Sequence, residues 1–421
     1  MTYIYNKNVE TMIRAGKVIP SGVYGHLGPA EGCMIPSSAF PFFAAKGQGA
    51  EFWDVDGNRF IDFMCAYGPN ILGYNDPDVD AAAQAQAKLG NCMTLPAPVT
   101  VDFAEYLTQL VKKDWAFFCK NGGDVTSFAI MISRYYTGRK KIIFLKGYYH
   151  GVAPWTQHPD TPGTIEEDCK NGLYIPFNDI EALKEVIARN KDKIACLIAT
   201  PYMHGNFTDN ELPKEGYWQE VRKICTENGI ILIFDDIRCG FRMDMHGSDT
   251  YFGIEADLIT FCKALANGYN VSALCGKAFL KGAASTVPYT GSYWLSAVPF
   301  AAGLACLQKL EKLNAVAHFE KMGTRLITGL QKAAKARNIP LIASGHPAMF
   351  YLRIDDELKN FRLHQEWIAE CVKRGVFLTN HHNHFICYAM TPEIIDEAIG
   401  ICTEAMDVLV RNNPDKFDKI K

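Results

Sequence analysis

The chain has 421 residues, 48% hydrophobic and 21% charged, more than one ordinary core needs and outside the range of disordered or fibrous proteins. A formal charge of -3, with no dense block of Lys or Arg, leaves no electrostatic footprint for nucleic acid or an anionic membrane, so the expected partners are small molecules. The opening stretch, MTYIYNKNVETMIRAGKVIP, scatters charges and reads as neither a secretory signal nor a spanning helix, which suggests the cytoplasm. Fourteen cysteines run from Cys33 to Cys402 without a Cys-x-x-Cys pair, as expected of small buried hydrophobes in a reducing compartment rather than of a disulfide or metal framework.

In chain order, GAEFWDVDGNRFIDF (49–63) sets the turn dipeptide Asp56-Gly57 between two aromatic, β-favouring runs and predicts a small antiparallel element. Residues 101–113 predict a helix with Val101, Ala104, Leu107, Leu110 and Val111 on one face. The runs 141–147, 195–201, 230–236, 257–263 and 272–277 read as buried strands alternating with helices, the pattern of a mostly parallel sheet covered on both faces. Two amphipathic helices follow, at about 297–312 and 315–337. Short strands in 348–354, 375–380 and 384–390 precede a last helix opened by Thr391 and Pro392. The expected division is 71–309 as a large α/β domain, with 1–70 and 310–421 joining into a small α+β domain.

Function in such sheets collects at the carboxyl ends of the strands. In IILIFDDIRCGFR an apolar strand ends abruptly in Asp235 and Asp236, which as residues alone can be metal ligands, an acid/base pair or a helix cap. In DLITFCKALANGYNVSALCGK another apolar strand ends in Lys263. A lysine at the mouth of a sheet, facing a carboxylate, suits a Schiff-base former. Asn121-Gly122-Gly123-Asp124 precedes a helical pattern and offers backbone N–H groups to a phosphate, although a Gly-Gly pair is also a common turn. Tyr148, Tyr149 and His150 follow a strand. The run His381-His382-Asn383-His384 suggests metal at first glance, but on a strand His382 and His384 share a face that His381 opposes, and no nearby Cys or carboxylate completes a set. No metal is expected.

Taken together, the phosphate turn, aromatic pair, strand-end Asp and strand-end Lys, with YGPNILGY (67–74), YTGRKKI (136–142) and YHG (149–151), resemble the class III aminotransferases over almost the whole chain. GPNILG and LCGK are most similar to the glutamate-1-semialdehyde aminomutase branch. The resemblance implies the fold type I of pyridoxal 5'-phosphate enzymes and a homodimer with shared active sites. By the same resemblance Lys263 is the aldimine lysine and the proton-moving base, and Asp235 pairs with the pyridine nitrogen. Ile237 and Tyr149 flank the ring, while Asn121, Gly122 and Gly123 hold the phosphate. Ser292, with Thr290 as substitute, reaches the phosphate of the neighbouring subunit. Arg238 meets the ring oxygen or a substrate carboxylate, and His150 is a structural partner. His382, His384, Tyr24 and His26 are weaker substrate-facing candidates. The implied reaction moves an amino group from a small amino acid or amine to a carbonyl acceptor. The alternatives are a 2,1-aminomutase and a racemase or epimerase. The family's Ser-Gly-Thr-Glu phosphate turn is Asn121-Gly122-Gly123-Asp124 here, which shifts phosphate binding towards backbone groups.

Overall fold

The alternation of short apolar runs with helical patterns condenses into two units in the computed structural model, which describes residues 3–23, 39–355 and 361–417. The end unit takes Met1–Asp76, His204–Glu211 and Ala317–Lys421; the central unit takes Pro77–Met203 and Leu212–Val316.

In the end unit β1 (Ala44–Gln48), β2 (Glu51–Asp54) and β3 (Arg59–Asp62) form antiparallel pairs. Asp56-Gly57 lies in the β2–β3 turn, where Gly57 has φ +88°.

The central unit is built on a seven-stranded sheet. Its strands are β4 (Trp115–Cys119), β5 (Lys141–Leu145), β6 (Gly172–Ile175), β7 (Ile194–Ala199), β8 (Ile231–Asp235), β9 (Leu258–Phe261) and β10 (Ser272–Gly276), in the order β4-β10-β9-β8-β7-β5-β6. β5 to β9 pair in parallel. β10 is antiparallel to both β4 and β9, so β4 runs the same way as the rest and six carboxyl ends share one edge. Every residue of β7, β8 and β9 is buried, which favours apolar side chains on both faces and explains their hydrophobic runs, broken only by Thr260 and by Asp235 at the end of β8. The helix Val99–Val111 starts two residues earlier than expected and buries Phe103, Leu107, Leu110 and Val111. Val101 is 58% exposed instead, because two positions from Phe103 is about 200° around a helix.

The end unit is completed by β11 (Leu341–His346) and β12 (Met349–Ile354), then β13 (Val376–Phe377) and β14 (His384–Phe385). β14 extends the β11–β12 hairpin, and β13 pairs in parallel with β3. The run expected as a strand through 380 stops at Phe377. Residues 379–383 leave the ladder, and side chains take over its hydrogen bonding: the backbone N–H of Thr379 donates to Nε2 of His384 at 3.2 Å. The expectation that His381 opposes His382 and His384 on a strand therefore fails; all three are buried. Thr391 caps the helix Pro392–Asn412, its Oγ accepting from Ile394 N at 3.4 Å.

Candidate active site

Asp235 ends β8, and Thr260 of β9 is its register partner. The Thr260 hydroxyl donates to Asp235 Oδ1 at 3.3 Å, and Nδ1 of His150, just beyond β5, donates to Oδ2 at 2.5 Å. A carboxylate only 4% exposed is thus held from two neighbouring segments. His150 is positioned in turn by Tyr148, whose ring lies parallel to it at 5.4 Å and stacks on Phe144 at 4.5 Å. Its Nε2 is buried with no partner among the described residues.

Asp236 points elsewhere. Its carboxylate accepts from the backbone N of Ser248 at 2.8 Å and the Ser248 hydroxyl at 2.6 Å, and burial holds its carboxyl well above the usual carboxylate range. Of the three readings open for the Asp235-Asp236 pair, Asp236 takes the helix-capping one, for the turn Ser248–Tyr251.

Lys263 follows β9 by two residues and opens a 3₁₀ turn, Lys263–Ala266, with φ +29°. A side chain other than glycine pays steric strain in that region, and such strain concentrates at functional sites. Burial in the surrounding protein, and then the charge of Arg238, pull its ammonium down to about 7. Two buried lysines of the unit differ. Lys113 is ion-paired to Asp249 at 3.0 Å, and Lys120, pulled by burial to about 8, lies 5.0 Å over the Phe300 ring.

The turn after β4 leads into the helix Gly122–Thr137 with Asn121 as N-cap. The Asp124 carboxylate accepts from Asn121 N at 2.9 Å, while the first-turn N–H groups of Gly122 and Gly123 have no partner inside the helix. Both glycines are needed for space. A Cβ on Gly122 would stand 2.7 Å from Ile237 Cδ1, and one on Gly123 would stand 3.3 Å from the Gly151 Cα. The Thr126 hydroxyl fastens the two turns by donating to the His150 carbonyl at 2.6 Å.

The sheet edge thus assembles Asn121, Gly122, Gly123, His150, Asp235, Ile237 and Lys263, with the Arg238 charge acting on Lys263 and Asp235. Tyr149 is 61% exposed beside them in sequence. Thr290 and Ser292 lie exposed in a separate loop of the central unit, where the Ser292 carbonyl accepts from the Cys92 thiol at 3.7 Å. His382 and His384 belong to the end unit. Tyr24 and His26 lie outside the described residues. Sequence reasoning passed over Thr260, Thr126 and Gly151. The signal for Thr260 was available, as the one polar side chain inside the apolar run of β9.

Residues 34–410 match the family described as Aminotransferase class-III. The aminopentol aminotransferase of Sphingopyxis macrogoltabida is 38% identical over 400 residues, covering 95% of this chain and 93% of that protein. The glutamate-1-semialdehyde 2,1-aminomutase of Methanocaldococcus jannaschii is 33% identical, covering 87% and 91%. The FumI protein of Sphingopyxis sp. MTA144, solved in its PLP internal aldimine form, superposes with a TM-score of 0.93 at 37% identity over 98% of both chains. With this sheet and this coverage, the chain belongs to the class III aminotransferases, enzymes of the pyridoxal-phosphate fold type I that transfer amino groups.

Proposed function

We propose that Lys263 carries pyridoxal phosphate and that the sheet edge around Asp235 binds it for transfer of an amino group from an amine or amino acid to a carbonyl compound. The observation that carries this reading is the buried Asp235 carboxylate, fixed by His150, beside a strand that delivers an amine pulled down to about 7.

The residues present fit the cofactor. Asp235 suits a protonated ring nitrogen, and the buried Nε2 of His150, with no partner among the described residues, supports a bound group at this corner. The N-terminus of a sixteen-residue helix, opened by two glycines whose backbone N–H groups have no partner inside the helix, suits a phosphate. Asn121 shapes that turn, Ile237 and Tyr149 serve the two ring faces, and Arg238 serves the ring oxygen or a substrate carboxylate. When bound, pyridoxal phosphate supplies an electron sink that makes the proton on the amino-bearing carbon removable. Nζ of Lys263, close to half neutral at pH 7, takes that proton and returns it. Asp235, oriented by its bonds from His150 and Thr260, faces the ring side of the site.

We also read the chain as a homodimer with shared sites, to which Ser292 and Thr290 of each copy contribute. Exposed Leu89, Met93, Leu95, Tyr293 and Leu295 flank that loop, and Asn91 O, accepting from Ala297 N at 2.9 Å, ties the two segments together. The free cysteines of the described residues, mostly buried, support a cytoplasmic setting. The name of the aminopentol relative supports a hydroxylated amine as donor. The aminomutase and racemase readings use the same residues, and a spectral titration of the holoenzyme with a panel of amino donors, without acceptor, separates them. Conversion of the cofactor band by one donor is the expected result. Exchange of the donor's α-proton with deuterated solvent, without conversion by any donor, would overturn transfer in favour of racemisation.

A further inference from the structure

Lys120 of the central unit joins two segments to which the proposed function gives a cofactor phosphate. Its backbone leads β4 into the turn Asn121-Gly122-Gly123, and its N–H donates to Asp124 Oδ2 at 3.4 Å, beside the 2.9 Å bond from Asn121 N to the same oxygen. That turn is anchored to the sheet, because the Ser272 hydroxyl of β10 donates to the Asn121 carbonyl at 2.8 Å. The side chain of Lys120 reaches the other segment. Its buried ammonium donates to the Ser296 carbonyl at 3.4 Å and lies 5.0 Å from the centre of the Phe300 ring.

Ser296 is where the loop 290–296 meets the body of the unit. Thr290, Ser292, Tyr293 and Leu295 are exposed, whereas Ser296 and Ala297 are buried. The loop is folded on itself, with Trp294 N donating to the Gly291 carbonyl and Ser296 N to the Tyr293 carbonyl, each at 3.0 Å. The helix Val298–Lys312 follows at once. An ammonium at this point is costly, since burial strips its hydration and a helix N-terminus disfavours a cation. Lys113 offsets a similar burial with the Asp249 carboxylate at 3.0 Å, while Lys120 meets a carbonyl and a ring face. An apolar side chain of the same length would fill the space at lower cost. What the amine adds is its bond to Ser296 and its charge over Phe300.

We infer that Lys120 is a positioning residue for the cofactor phosphate: its ammonium fastens the loop carrying Thr290 and Ser292 to the turn 121–124 of the same chain. The phosphate segment that a chain uses itself and the one it lends to its partner then keep a fixed spacing. This rests on the shared-site reading of the homodimer given above.

The test uses the holoenzyme of wild type, Lys120→Met, Lys120→Arg and Ser292→Ala. It reads cofactor release into inorganic phosphate and backbone amide exchange of the peptide 291–297. Lys120→Met should speed release about tenfold and raise exchange in that peptide, and Lys120→Arg, which keeps donor and charge, should restore most of both. Burial pulls the Lys120 amine down to about 8, so it is charged at pH 7 and neutral well above 8. Wild-type release should therefore step up between pH 7 and 9.5, and Lys120→Arg should remove the step. The ionisable groups acting on the amine are the thiols of Cys119, which burial pushes up, and Cys92, for which Cys92→Ser is the control. Should Lys120→Met not fold, this pH step carries the test, and its absence from wild type, or its loss in Cys92→Ser, would overturn the inference. Release and exchange in Lys120→Met equal to wild type, with faster release in Ser292→Ala, would overturn the inference alone. Unchanged release in Ser292→Ala would overturn the shared-site reading and the inference with it.

Discussion

The sheet edge of the central unit and the segment 379–384 of the end unit are both buried and polar, yet they are organised on opposite principles. At the sheet edge, ionisable groups are fixed by specific neighbours: Asp235 receives bonds from His150 and Thr260, and burial and the charge of Arg238 pull Lys263 down to about 7. In the end unit, Arg353 is paired with two aspartates, and burial pulls His364, His381 and His384 down so that their rings stay neutral. Ionisable groups fixed in place at a sheet edge suit chemistry on a cofactor; neutral rings packed in an interior suit the core of a unit.

The sharpest way to break the contrast is at Lys263. On the proposed function Lys263 both holds the cofactor and moves the proton, so Lys263→Ala should lower transfer by about 10⁴-fold or more, measured as single-turnover rate with a good donor. The end unit should respond to pH rather than to charge removal. An unfolded histidine titrates near 6.5, whereas His364, His381 and His384 are pulled down to about 4, 4 and 3. The unfolded chain therefore binds more protons, so their contribution is complete above pH 6.5 and drains as pH falls towards 4, by about 3 kcal/mol for each ring. Urea unfolding across that range should show the decline, and His381→Gln should reduce it by about a third. A decline of equal size in that variant would place its origin elsewhere.

Smaller effects test the packing of the sheet edge. Gly122→Ala forces a Cβ to within 2.7 Å of Ile237 Cδ1, and cofactor affinity should weaken by about tenfold while the fold persists. Arg238→Gln should raise KM for a carboxylate-bearing donor by severalfold while cofactor affinity changes less. Equal losses would assign Arg238 to the ring oxygen.

Much of the sheet edge was legible in the chain, because an apolar strand that stops at Asp235 or just before Lys263 announces the edge of a parallel sheet. The bond between His150 and Asp235 was not, since β7 lies between β5 and β8 and strand order is a tertiary property. The end-unit cluster was less legible still. Its histidines suggested a strand, but the ladder ends at Phe377, and the packing partners come from residues 204–211 and from the helix Arg362–Val372. Nothing local in 379–384 signals that Phe207 or His364 will close around it.

The central claim is that Lys263, and neither Lys120 nor Lys113, carries the cofactor. Borohydride reduction of the holoenzyme followed by peptide mass spectrometry tests it without relying on turnover. The account predicts the cofactor mass on the Lys263 peptide alone; the label on Lys120, whose amine burial also pulls down to about 8, or on no lysine, would contradict it.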